Sequence, residues 1–197
     1  AITNVDDIAP TITSGTTATD LVENSGSGQT VYTITANAND GGTISGYAIS
    51  GTDASLLTLW QSGTNPPSAY ITLTTDPDYE AKSSYSFTVT ATDAAGTSAA
   101  TTVTFSITNV DEVAPSITSG TTGTDLAENS GSGQTVYTIT ANANDGGTIS
   151  SYAIAGTDVA LLTLTGNVVT LTADPDYETK NSYSFTVTAT DEAATSA

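Results

Sequence analysis

The side chains best placed to do chemistry in this chain are carboxylates next to β-rich segments. Glu23 sits in Val22-Glu23-Asn24, Asp78 and Glu80 flank Tyr79, and Asp93 follows Ala91-Thr92. Asn109, Asp111 and Glu112 stand together in Asn109-Val110-Asp111-Glu112. Calcium takes roughly six to eight oxygen ligands at roughly 2.3–2.6 Å, mostly carboxylates and carbonyls. Carboxylates from several loops at one end of a β-sandwich could supply such a set, whereas a lone Asp-x-Glu on a turn is ordinarily solvated. Other chemistries find little support. The chain has no His and no Cys, which removes the commonest general base, the usual zinc ligands and any thiolate. Asp78 and Glu80 share one turn, copied in each repeat without sign of a cleft, so paired-carboxylate glycoside hydrolysis is not expected. Gly26-Ser27-Gly28 precedes a strand rather than a helix and is no phosphate loop. No enzyme is expected in this window.

The charge balance narrows the partners. The 197 residues carry 21 acids against two lysines, Lys82 and Lys180, for a formal net charge of -19. A nucleic-acid backbone needs Lys or Arg to displace its counterions, so nucleic acid is excluded as a partner. Anionic lipid is disfavoured for the same reason. A divalent cation is the natural partner for the carboxylates, with solubility as their alternative role. No apolar run is long enough to span a membrane, and no membrane insertion is expected. The chain begins at Ala1 and reads as an interior fragment of a longer protein.

The elements that must position these carboxylates are strands. Thr and Ser alternate with Val, Ile, Tyr and Phe at period two. Tyr85, Phe87, Val89 and Ala91 fall on one face of Ser84 to Ala91, and Val103, Phe105 and Ile107 on one face of Thr101 to Ile107. Further strands are expected at Thr30 to Ala36, within Ile44 to Ile49, at Leu56 to Leu59 and at Tyr70 to Thr74, with an opening strand between Thr11 and Val22. Asn39-Asp40-Gly41-Gly42 and Asn144-Asp145-Gly146-Gly147 read as turns, as do Asp76-Pro77 and Asp174-Pro175.

Internal repetition organises the whole chain. The run Glu23 to Ser45 recurs unchanged as Glu128 to Ser150, and Thr3 to Pro10 is matched by Thr108 to Pro115. Two domains follow, 1–108 and 109–197. The first carries an insertion at 60–70 that contains Trp60, the only Trp. Trp60 is expected to cover the edge of its own core, with contact to a partner or glycan as the alternative. The second copy stops at Ala197 with no counterpart of Thr101 to Ile107, so its last strand is expected to be missing.

The order of these pieces resembles the cadherin repeat in its bacterial large-adhesin form. The resemblance rests on Glu23-Asn24 and Glu128-Asn129, on Pro77-Asp78-Tyr79-Glu80 and Pro175-Asp176-Tyr177-Glu178, and on Tyr85 to Asp93 and Tyr183 to Asp191. It rests also on the linker Asn109-Val110-Asp111-Glu112-Val113-Ala114-Pro115. It implies an all-β chain of two tandem cadherin-like, immunoglobulin-like Greek-key β-sandwich domains, and calcium (Ca2+) between repeats. By the resemblance, Glu23, Asp78, Glu80, Asn109, Asp111 and Glu112 supply one side of the calcium site, and Asn142, Asn144 and Asp191 the other. Two departures weaken the site: Asn142-Ala143-Asn144 stands where the family has Asp-x-Asp, which removes charge but keeps amide oxygens, and Val113 stands where it has a ligating Asn, which removes a ligand. One or two ions per junction are therefore expected. The implied function is a calcium-stiffened structural or adhesive spacer of a large extracellular or cell-surface protein or fibre, whose partners are neighbouring repeats, other copies in a fibre or a surface glycan. The alternatives are a carbohydrate- or self-binding module working through the Trp60 insertion, and a non-catalytic appendage of a secreted enzyme.

Overall fold

The computed structural model describes residues 2–63 and 67–196; Thr64, Asn65 and Pro66 of the insertion lie outside the described residues. The chain divides into two compact units, Ala1–Asn109 and Val110–Ala197.

In the first unit the strands are β1 (Thr11–Ile12), β2 (Leu21–Val22), β3 (Thr30–Ile34), β4 (Ala36–Asn37), β5 (Gly46–Ser50), β6 (Leu57–Ser62), β7 (Ser68–Leu73), β8 (Ser84–Thr92) and β9 (Thr101–Thr108). One sheet has the order β2-β9-β8-β5 and the other β3-β7-β6, with β1 paired to β4. The expected opening strand is thus two short pieces. β1 runs antiparallel to β4, and β2 runs parallel to β9. The chain between them bridges to Thr104 and crosses from one sheet to the other. Its Gly15 adopts a φ of 81°, a left-handed turn that a residue with a Cβ resists. The phenol of Tyr32 fastens this crossing by donating to Gly15 O at 2.6 Å.

Period-two alternation decides the core. In β8, Tyr85, Phe87, Val89 and Ala91 are buried, and in β9 so are Val103, Phe105 and Ile107. From the facing sheet come Val31, Leu57, Ile71 and Leu73. Tyr32 meets Phe87 edge to face at 6.0 Å, and Tyr85 stacks on Phe105 across the strands at 4.7 Å. Val31 and Tyr32 are consecutive yet both buried, because the β3–β7 register shifts between Thr30 and Tyr32; such a bulge turns two neighbours inward.

The second unit repeats the plan with β10 (Ser116–Ile117), β11 (Thr135–Thr138), β12 (Ala141–Asn142), β13 (Ser151–Ala155), β14 (Leu162–Thr165), β15 (Val168–Leu171) and β16 (Thr186–Thr190). Its sheets are β11-β15-β14, β13-β16 and β10-β12. Where β8 lies between β5 and β9, β16 pairs with β13 alone among the described strands. Tyr183, Phe185 and Val187 are accordingly only partly buried. In both units the only helical pieces among the described residues are single 3-10 turns, Ala54–Leu56 and Val159–Leu161. No helix among the described residues is long and apolar enough to cross a membrane.

The insertion lengthens a hairpin. β6 and β7 stay paired out to Ser62 and Ser68, whereas β14 and β15 turn after Thr165 through Gly166 and Asn167. Contrary to the sequence expectation, Trp60 does not cover the core. Leu57, Leu59 and Gln61 share one strand phase, so Trp60 points outward; it is 52% exposed. Its ring stacks on that of Tyr70, directly across the hairpin, at 6.3 Å and 16°. Gln61 points the other way and brackets Tyr47, accepting from its N–H at 2.8 Å and donating to its carbonyl at 3.0 Å.

The unequal closure of the two cores has a measurable consequence. Phe87→Ala should cost about 3–5 kcal/mol. Phe185→Ala, at the equivalent but partly exposed position, should cost clearly less. Chemical denaturation of the two variants makes the comparison, and equal losses would show both cores to be equally closed.

Candidate metal centre

Strand ends bring the acids together at the poles of each unit. In the first unit, β2 and β9 run parallel, so the residues that follow them, Glu23 and Asn109, leave at the same end. The loop from β7 to β8 brings Pro77 to Glu80 there. Asn24 donates its N–H to Pro77 O at 2.9 Å, and its φ of 56° makes the sharp turn after Glu23; Asn tolerates this left-handed conformation better than most residues. Glu23 is buried, and its Oε2 accepts from Tyr79 N–H at 2.9 Å. Glu23 and Glu80 bring carboxylate oxygens within 4.8 Å of each other. The Asp78 carboxylate accepts from Ala81 N–H at 2.8 Å. These are the positions in the first unit of the sequence-proposed ligands Glu23, Asp78, Glu80 and Asn109.

In the second unit the remaining proposed ligands lie at the opposite pole, around the residues that precede β10. Asp191 directly follows β16 and is 6% exposed. Its Oδ1 accepts the N–H groups of Ala193 and Ala194, both at 3.1 Å, while its Oδ2 is buried without a hydrogen-bond partner. Both Oδ atoms of Asp111 are likewise buried without a well-formed hydrogen bond. Burial, then close approach to Asp145, then the charge of Asp191 push the Asp111 carboxyl above its usual 3.8. Glu112 is exposed and donates its N–H to Asp145 Oδ2 at 3.3 Å.

Asn142 and Asn144 do different work here. Asn142 Oδ1 accepts from Asn144 N–H at 3.0 Å, and Asn144 Nδ2 donates to Ala114 O at 2.6 Å. Asn144 also accepts from Ser116 Oγ at 3.4 Å. With a φ of 60° at Asn144, the pair shapes the turn after β12 and delivers the next residue, Asp145, to Asp111. The sequence reading missed Asp145 because Asn-Asp-Gly-Gly reads first as a turn. The available signal was an acid directly after a residue suited to positive φ.

The first unit carries the same arrangement at its own first pole, in Asp6, Asp40 and Asp93. Of these three, the sequence pattern pointed only to Asp93, as an acid at a strand end; Asp40 reads as part of a turn and Asp6 as part of the repeated linker. Asp7 N–H donates to Asp40 Oδ2 at 3.2 Å. Burial and the charge of Asp93 are the leading causes that raise the Asp6 carboxyl.

The chain's only two lysines are engaged elsewhere. Lys82 Nζ lies 3.1 Å from Asp53, and Lys180 Nζ lies 3.0 Å from Asp158. The Ser184 N–H, then Lys180, hold the Asp158 carboxyl below its usual 3.8. The polar clusters therefore have all-oxygen donors, buried oxygens without hydrogen bonds and no lysine to neutralise them. That donor set fits a hard divalent cation.

No protein-family model matches the chain, and no curated protein sequence matches it. Solved structures do match. The extracellular domain of protocadherin GammaB4 superposes with a TM-score of 0.74 at 22% identity, covering 98% of this chain and 32% of that one. A cis-dimer structure of protocadherin gammaB7, EC3-6, gives 0.74 at 22%, covering 97% and 50%. Mouse Cadherin-23 EC22-24 gives 0.70 at 20%, covering 98% and 63%. The chain thus spans about a third to a half of the first two, and the likeness is one of fold: an all-β, cadherin-like sandwich architecture.

If repulsion dominates the Asp111 cluster without metal, Asp111→Asn should raise the melting temperature of the chelator-treated chain, since an amide removes one of three neighbouring like charges. A fall in chelator, followed by circular dichroism, would show that the carboxylate is held by attraction instead.

Proposed function

We propose that this chain is a calcium-stiffened structural or adhesive spacer from a large extracellular surface protein or fibre, of the bacterial large-adhesin kind, and that it is non-catalytic. Calcium bound by Glu23, Asp78, Glu80 and Asn109 of the first unit and by Asp111, Glu112, Asn142, Asn144 and Asp191 of the second would stiffen the chain where repeats join. The observation that carries this reading is the burial of Asp111 and Asp191 oxygens with no hydrogen-bond partner. Leaving ionised oxygen buried and unpaired is costly, and a cation removes that cost. The cadherin-like fold of the solved structures supports the same reading, and the cis-dimer among them supports association with further copies.

Chelation tests the proposal. A metal bound only by the folded state stabilises it by about 2.7 kcal/mol at a hundredfold excess over its dissociation constant. Chelator should therefore lower the melting temperature and, in solution scattering, broaden the distribution of end-to-end lengths while each sandwich persists. Glu80→Gln together with Glu112→Gln should imitate chelation. An unchanged melt and an unchanged scattering profile would sink the reading.

A carbohydrate- or self-binding role is favoured by one specific feature, the outward-facing Trp60–Tyr70 stack. A groove of about 480 Å³ lined by Ile34, Tyr47, Pro67 and Tyr70 lies beside it, and unit two has Thr165 at the position of Trp60. Aromatic faces of this kind bind the apolar faces of other groups at modest cost in entropy. A glycan-binding screen and a sedimentation series on wild type and Trp60→Ala should then show binding or association that the variant lacks; identical behaviour of the two removes this role.

A further inference from the structure

We infer that the Trp60–Tyr70 pair is the platform of a binding site for a neutral pyranose glycan, carried by the lengthened hairpin of the first unit. The inference rests on the carbohydrate-binding role given to that pair above, and it names the class of ligand.

The platform is built on paired strands. Trp60 of β6 lies directly opposite Tyr70 of β7, and Tyr70 opposite Thr33 of β3. The three form one row across the outer face of the β3-β7-β6 sheet. The two rings are nearly parallel, and both stay open to solvent, with Trp60 52% and Tyr70 41% exposed. The indole is nevertheless held. Its Nε1 donates to Thr72 Oγ1 at 3.3 Å, and Thr72, two residues after Tyr70 on the same face, is only 7% exposed. Rings that are fixed in place yet uncovered lose little conformational entropy when a ligand settles on them.

The surroundings select the charge of the ligand. Hydroxyl pairs flank the row, Thr58 with Thr72 on one side and Ser62 with Ser68 on the other. The adjoining groove of about 480 Å³ adds Thr30 and Thr35 beside Tyr47 and Pro67, and its volume falls in the range of about 300–1,000 Å³ usual for small-ligand sites. None of these residues is charged. The chain has neither Arg nor His, and both of its lysines are bound to Asp53 and Asp158. A uronate or a sulfated sugar would therefore meet no counter-charge, and the formal net charge of -19 would repel it. A second copy of the chain meets the same repulsion. A neutral pyranose meets none. Its C–H faces offer apolar surface to the rings, and its hydroxyls exchange hydrogen bonds with Thr and Ser, which both donate and accept. In the second unit Thr165 and Val168 pair at the matching place, so the fold itself supplies residues that dismantle the platform and still suit the hairpin.

The experiment is titration of the 197-residue chain with cellohexaose, maltohexaose, mannohexaose and N-acetylchitohexaose, and with hexagalacturonate as the anionic comparison. Calorimetry reads the affinity, and Trp60 fluorescence reports the site directly, since the chain has no other Trp. At least one neutral hexasaccharide should saturate both signals, and hexagalacturonate should give neither. Trp60→Thr and Tyr70→Val should each weaken binding by about tenfold or more, with the melting temperature unchanged because the rings lie outside the core. Trp60→Phe, which keeps an aromatic face, should retain most of the affinity. Binding of none of the four neutral glycans overturns the inference. If sedimentation then still shows association that Trp60→Ala abolishes, the self-binding role stands without it. Binding of hexagalacturonate at Trp60 as tight as that of the neutral glycans overturns the inference and leaves the carbohydrate role standing. Neutral binding that is unchanged in both Trp60→Thr and Tyr70→Val refutes the inference and the role of the pair together.

Discussion

Repulsion between carboxylates gathered at strand ends, with no lysine beside them, is the constraint on which this structure turns. Twenty-one acids face two lysines, and both lysines are bound to Asp53 and Asp158 on the flanks of the sandwiches. The loops that bear Asp6, Asp40 and Asp93 are held together against their charge by the strands that end beneath them. β5 and β8 stay in register up to the pair Gly46 and Thr92, immediately before Asp93. β1 and β4 pair Thr11 with Asn37, immediately before the turn that carries Asp40. The dry core of Phe87, Val89, Val103 and Phe105 fixes those strands, so the loops cannot spread far without unzipping pairs. Apolar burial at the centre thus confines like charge at the ends.

The two lysine pairs illustrate the contrasting way to keep an acid inside. Asp53 and Asp158 accept backbone N–H groups from Ser86 and Ser184 at 2.8 and 2.7 Å and face a lysine. Each lysine also lies over a tyrosine ring, Tyr85 or Tyr183, at 5.2 and 5.3 Å. Here protein groups satisfy the charge completely. At the poles Asp93 and Asp191 are given donors on one oxygen only, and Asp111 on neither. The difference between the two environments, in one small fold, is what distinguishes a structural acid from a candidate ligand.

Near-identical sequence did not produce identical units. Glu23 to Ser45 and Glu128 to Ser150 are the same residues, yet Glu23 is buried and Glu128 exposed. Glu23 N–H donates to Thr108 O, on the strand beside it, whereas no described strand of the second unit occupies the place of β9. Burial of a residue is a property of its neighbours in space, and a strand remote in sequence supplies them.

Much of the architecture was legible in the residues: the period-two faces of Ser84 to Thr92 and Thr101 to Thr108, the repeat, and the acids at strand ends. Alternation writes the inside and outside of a sheet directly into the chain, because successive side chains must point to opposite faces. The split of the opening strand between two sheets was not legible, since β1 and β2 are only two residues each and their partners, β4 and β9, are chosen by long-range pairing. Nor was the outward turn of Trp60, whose phase depends on where β6 begins after its 3-10 turn. The placement of Asp40 and Asp145 was hidden because local chemistry reads Asn-Asp-Gly-Gly as a turn, and it is one. That the turn brings Asp40 beside Asp6, and Asp145 beside Asp111, follows from which strand ends meet at a pole. Sequence determined the residue types, their alternation and their repetition, all set by covalent order. Tertiary structure alone decided which carboxylates meet and which of their oxygens lose water, because convergence and desolvation arise only when segments distant in the chain pack together.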